Sequence, residues 1–120
     1  MNLLLFAVIV AQMSMSNPPA MSAAEIAKSA SGTELHFVMR IDQMQRTTAT
    51  GHVLDPISGN QYRVSPSVIS LHVANDLPVV MGSHDDLKAG AVIFVYGVAT
   101  KAKAADATKL VVITPYVKTQ

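Results

Sequence analysis

The chain has 120 residues, half of them apolar and 14% charged, enough for one domain with a buried core and too few for two. Nine Lys and Arg against eight Asp and Glu leave a net charge of +1, which argues against a dominant basic surface for nucleic acid or anionic lipid. The absence of Cys excludes disulfides, Cys nucleophiles and Cys-ligated metal centres, while three Tyr, three Phe and no Trp make a poor stacking platform.

Residues 3–11 (LLLFAVIVA) are an uncharged apolar run of nine, short of the roughly 20 residues a membrane-spanning helix needs. The length suits the apolar core of a secretory signal peptide. Ser14 and Ser16 offer small residues for cleavage, and Asn17-Pro18-Pro19 break any helix beyond them. No basic side chain precedes the run. Residues 1–16 thus read first as a signal peptide, second as a retained membrane or assembly anchor, and third as a buried apolar strand or helix. Residues 17–32 read as a linker and short helix. Ser22 and Glu25 have capping-box spacing, Ala23, Ile26, Ala27 and Ala30 recur at helical spacing, and Gly32 ends the element.

Residues 33–120 read as one β domain. Leu35, Phe37, Met39 and Ile41 alternate with polar neighbours and with Val38, the two-residue period of a half-buried strand. Residues 47–54 follow, with Gly51 available for a bulge. The turn formers of 55–60, Asp55 among them, predict a hairpin to 61–64, and 68–73 are a further extended segment. Asp85 and Asp86 predict a capped turn closing at Gly90, ahead of the apolar run 91–99 (AVIFVYGVA). A polar loop over 101–106 leads to a last strand over 108–117, where Pro115 predicts an edge. The segments around Gly51 and Gly97 are loosely alike. Five or six short strands after one helix predict a mainly β fold, a small closed barrel or sandwich. Its predicted core is Leu35, Phe37, Met39, Ile41, Val64, Val92, Phe94, Val111 and Ile113.

Ala49-Thr50-Gly51-His52-Val53, Tyr62-Arg63-Val64, Asp86-Leu87-Lys88-Ala89-Gly90 and the closing 107–113 together resemble a family of bacterial exported OB-like barrel domains. The resemblance covers roughly residues 47–117. It implies a five- to six-stranded OB-like barrel in a periplasmic or secreted protein, and it brings no known activity. A weaker resemblance is to small periplasmic copper-binding OB barrels of metal efflux systems, through the same A-T-G-x-V strand. Their copper ligands include a Trp, a close Met pair and a His, whereas this barrel region has no Trp and holds only Met39, Met44 and Met81.

No catalytic constellation stands out. His36, His52, His72 and His84 lack metal-site spacing, so exposed or singly bonded strand histidines are the reading, against a soft Cu(I) site with Met39 or Met81. Ser83-His84-Asp85-Asp86 are adjacent in sequence, whereas triads assemble from separate loops. Tyr62 and Arg63 lie on a candidate strand 3, the usual ligand face of OB barrels, and Tyr96 or Tyr116 complete the candidate ligand-binding set. The expected function is a non-enzymatic exported module of the cell envelope. It would act without cofactor or metal, through self-association or a protein partner at the last strand's edge. The membrane is met only through an uncleaved N-terminal segment, and nucleic acid is not expected as a partner. The alternative is a ligand-binding OB barrel for an oligonucleotide, a glycan or a soft metal such as Cu(I).

Overall fold

The alternation over 35–41 belongs to a longer strand than the pattern alone marks. In the computed structural model, which describes residues 18–58 and 61–114, β1 spans Glu34–Gln45 and buries Leu35, Phe37, Met39 and Ile41. β2 (Thr48–Ser58) and β3 (Gln61–His72) follow, then a two-residue β4 (Val79–Val80), a 3-10 turn (His84–Asp86), β5 (Val92–Lys101) and β6 (Ala104–Thr114). The strand order is β3-β2-β1-β5-β6-β4. β3 and β6 pair again in parallel, Ser70 with Ala104, Leu71 with Ala105 and His72 with Asp106. That pairing closes the sheet into a barrel.

β1 serves two partners, β5 through its first half and β2 from Val38 onward. It must bend to do so, and a bulge at Asp42, facing Gly51, supplies the bend. Gly97 does the same for β5 and β6, where a Cβ would sit 2.6 Å from the Asp106 carbonyl oxygen beside a register shift. The loose likeness of the two glycine segments therefore has a shared cause, close backbone approach at a bend.

The leading helix α1 (Ala23–Ala27) carries the full capping box, with Glu25 N–H donating to Ser22 Oγ at 3.2 Å and Ser22 N–H to Glu25 Oε1 at 2.8 Å. Ala23 and Ile26 add to the barrel core. Gly32 ends the segment at φ +92°, a conformation that glycine adopts without strain.

Several expectations are corrected. Segments 61–64 and 68–73 are one strand, because Pro66 sits in a bulge between the Leu54–Val64 and His52–Val68 pairs and so removes no ladder bond. β2 continues to Ser58, so Asp55 is a strand residue whose Oδ1 accepts the Ala23 N–H at 2.7 Å. The polar stretch 101–106 shrinks to a tight turn at Ala102-Lys103, with Lys103 at φ +63°. β6 pairs with β5 on one side and, on the other, with β3 at 104–106 and with β4 at 110–111, so over those residues it is not an edge. Pro115, Tyr116 and the predicted edge at 116–118 lie outside the described residues, as does the boundary at residue 16.

The core is also two clusters rather than one. Phe37, Met39, Ile93, Val95, Leu110 and Val112 pack inside the barrel, whereas Val38, Leu54, Val92, Phe94, Val111 and Ile113 pack on its outer side. Val64 is half-buried beside the outer cluster. Val92, Phe94, Val111 and Ile113 are buried as expected but on the outer side, because a continuous apolar run has no alternation from which to read an inward face.

Candidate functional site

The outward side chains of β1, β2 and β3 change character along the strands. At one end Val38 and Leu54 belong to the outer apolar cluster. Moving along, the register rows become Arg40–His52–Val68, then Gln43–Thr50–Ser70, then Gln45–Thr48–His72. Asp42, displaced at the bulge, neutralises part of this face. Arg40 Nη2 lies 3.3 Å from its Oδ1, and His52 Nδ1 lies 2.5 Å from its Oδ2.

Two turns are pinned to the polar end. The β1–β2 turn carries Arg46 at φ +52°, and Val73 N–H donates to the Thr47 carbonyl at 2.7 Å. The β5–β6 turn carries Lys101 and Lys103, and Ser70 N–H donates to the Lys103 carbonyl at 2.9 Å. At about 3.3 Å per strand residue, Ser70 and Val73 are about 10 Å apart. The backbones of three exposed cations thus converge on the end of β3, and Asp106, in register with His72, places a carboxylate beside them. Arg46, Lys101 and Lys103 are far apart in sequence, so whole-chain charge hides the grouping.

The sequence-derived ligand residues fall elsewhere. Tyr62 and Tyr96 both pack against the outer apolar cluster, with β2 and β1 between their strands. Burial pushes both hydroxyls above the usual tyrosine range. Phe94 lies 5.3 Å from Tyr96 between ring centroids, and Lys109 Nζ sits 4.4 Å above the Tyr96 ring. Arg63 is exposed and in register with Asp55 near the opposite end of β3. Tyr116 lies outside the described residues.

The soft-metal candidates are not brought together. Met39 is in the barrel core and Met81 is exposed. His36 is at the start of β1, with Nδ1 donating to the Pro19 carbonyl at 2.7 Å, and His72 ends β3 at the other end of the face. The stretch 83–86 is a turn, as its carboxylates imply: Asp86 Oδ2 accepts the Ser83 N–H at 2.9 Å, and His84 Nε2 donates to the Leu77 carbonyl at 2.9 Å.

No protein-family model matches the sequence, and no curated protein matches it. Solved structures do. The telomere capping protein Ten1 from Saccharomyces pombe matches with a TM-score of 0.54 at 15% identity, over 78% of this chain and 79% of that one. The S. pombe Stn1–Ten1 complex matches with a TM-score of 0.51 at 15% identity, over 79% and 77%. Replication protein A of U. maydis bound to ssDNA matches at 0.46 and 13% identity, over 77% and 68%.

These matches correct three expectations. The resemblance to bacterial exported domains gives way, and periplasmic or secreted localisation with it, because the architecture is shared with the telomere capping protein Ten1 and its Stn1 complex. The short motifs behind that resemblance are generic to the topology: Gly51 faces a bulge, and Gly90, at φ +95°, closes the turn before β5. The expectation that nucleic acid is no partner also falls, since the architecture is shared with a telomere capping protein. Closed by β3 and β6 and led by a capped helix, the chain is an OB-like barrel.

Proposed function

We propose that this protein binds single-stranded nucleic acid, without turnover, on the polar half of the outer face of β1, β2 and β3. The observation that carries the reading is the pinning of both cationic turns to the end of β3. OB barrels take oligonucleotides on the face of strands 2 and 3, between the loops joining strands 1–2 and 4–5. Here β5 and β6 are the fourth and fifth barrel strands, so the Arg46 and Lys103 turns stand at those two positions. The likeness to a telomere capping protein supports the same reading.

Arg46, Lys101 and Lys103 meet backbone phosphates, and Thr48, Thr50, Ser70 and His72 supply donors and acceptors between them. Among the described residues the aromatics are inside the barrel or in its apolar half. Charge, rather than stacking, therefore dominates the affinity. Fluorescence anisotropy with a labelled oligothymidine tests this. Three neutralised phosphates give a log–log salt slope of about −2, and Arg46→Glu combined with Lys103→Glu weakens binding about tenfold or more. Absence of binding at low salt, or equal binding by the double variant, overturns the proposal.

A further inference from the structure

The polar face has two electrostatic zones. At its far end the exposed Arg46, Lys101 and Lys103 stand near the Thr48–His72 pair. Four residues along β2 from Thr48, about 13 Å at the usual rise, Arg40, Asp42 and His52 form a closed group. Asp42 Oδ1 accepts from Arg40 Nε and Nη2, both at 3.3 Å, and its Oδ2 accepts from His52 Nδ1 at 2.5 Å. The three side chains are 30%, 33% and 29% exposed in that order, so the group meets solvent.

A phosphate gains little here. The Arg40 charge is cancelled within the group, and the Asp42 carboxylate repels an anion brought against Arg40. What the group offers is directional hydrogen bonding, already oriented by its internal contacts. A carboxylate has about four lone-pair sites. Arg40 takes two of them at Oδ1 and His52 takes one at Oδ2, which leaves a site on Oδ2. Arg40 Nη1 has no partner among the described residues.

We infer that this group reads the base edge of a bound single strand and selects cytosine, an inference that rests on the nucleic-acid function proposed above. Phosphate contacts position a strand, whereas base edges carry its sequence, and an unpaired base leaves its Watson–Crick edge open. Cytosine presents its N4 amino donor beside the N3 and O2 acceptors. Asp42 Oδ2 accepts from N4–H, and Arg40 donates from Nη1 to N3 or O2. Thymine sets its O4 oxygen against the carboxylate, acceptor against acceptor. The adjacent N1–H and N2–H donors of guanine need both carboxylate oxygens, and Oδ1 is already filled by Arg40. Adenine matches the amino group and one ring nitrogen but has no counterpart of O2.

Fluorescence anisotropy of the full-length chain with oligodeoxycytidine and oligothymidine of equal length tests the inference, at low salt and mildly alkaline pH, where cytosine N3 is unprotonated. Oligodeoxycytidine is expected to bind about fivefold or more tightly, the lower range for a matched base contact. Asp42→Ala removes the acceptor together with a negative charge. Oligothymidine then binds more tightly, while the cytosine preference falls below about twofold. Asp42 is exposed, so the circular dichroism of the barrel persists in the variant. Equal binding of the two oligomers by the unaltered chain, or a preference that survives in Asp42→Ala, overturns the inference. Oligothymidine binding without a cytosine preference removes this inference and leaves the proposed function standing, whereas failure of both oligomers to bind removes the function and the inference together.

Discussion

A Cβ placed on Gly51 would lie 2.0 Å from the carbonyl oxygen of Arg40 and 2.9 Å from Met39 Cε. The backbones of β1 and β2 therefore approach at the bulge more closely than any side chain permits, and this approach lets β1 serve both halves of the barrel. Gly51→Ala is expected to cost about 3 kcal/mol, the upper end for overpacking, because backbone rather than a flexible side chain must move. A lower urea midpoint at constant slope measures it. Gly32→Ala is the comparator. Its Cβ meets nothing within 4 Å, and only the positive φ opposes it, so the cost is about 1 kcal/mol.

Phe37 and Phe94 lie one residue out of phase on paired strands, the first inside the barrel and the second outside it. Both are enclosed, so Phe37→Ala and Phe94→Ala are each expected to lose about 3–5 kcal/mol. Denaturant titration separates two true cores from one. A loss below about 1 kcal/mol for Phe94→Ala would show the outer cluster to be mere surface.

Lys103 combines a strained backbone, φ +63°, with one of the three cations assigned to phosphate. Lys103→Gly relieves about 1 kcal/mol of left-handed strain and removes the charge. Thermal stability should rise while oligonucleotide affinity falls severalfold. If both fell together, the weaker binding would be a folding effect.

Burial raises the Tyr62 hydroxyl above its ordinary value, since desolvation penalises the phenolate. The folded state then holds this proton more tightly than the unfolded chain does. The associated stability is complete below about pH 10, the unfolded tyrosine value, and is lost as the pH rises through the folded one. Tyr62→Phe should flatten the alkaline fall in stability, read from urea midpoints across that range. An unchanged alkaline profile would place the titrating group elsewhere.

Local chemistry was legible without any structure. Ser22 and Glu25 cap α1, Asp86 caps the 83–86 turn, and the alternation of Leu35, Phe37, Met39 and Ile41 marks the inner face of β1. Each depends on residues a few positions apart, within reach of one turn or one strand. Four matters were decided only by tertiary structure. β5 and β6 took the phase that the closed barrel imposed on uniformly apolar runs. Asp55 left its predicted turn because the N–H of Ala23, 32 positions away in sequence, needed an acceptor. β6 gained partners on its second side, β3 at 104–106 and β4 at 110–111, from segments distant in sequence. The site followed the same logic. Arg46, Lys101 and Lys103 are unremarkable in a near-neutral chain, and they become one cationic end because Thr47 and Lys103 both bond to the last turn of backbone that ends β3. Local pattern sets which residues extend, cap and bend, whereas long-range backbone pairing sets which of them meet.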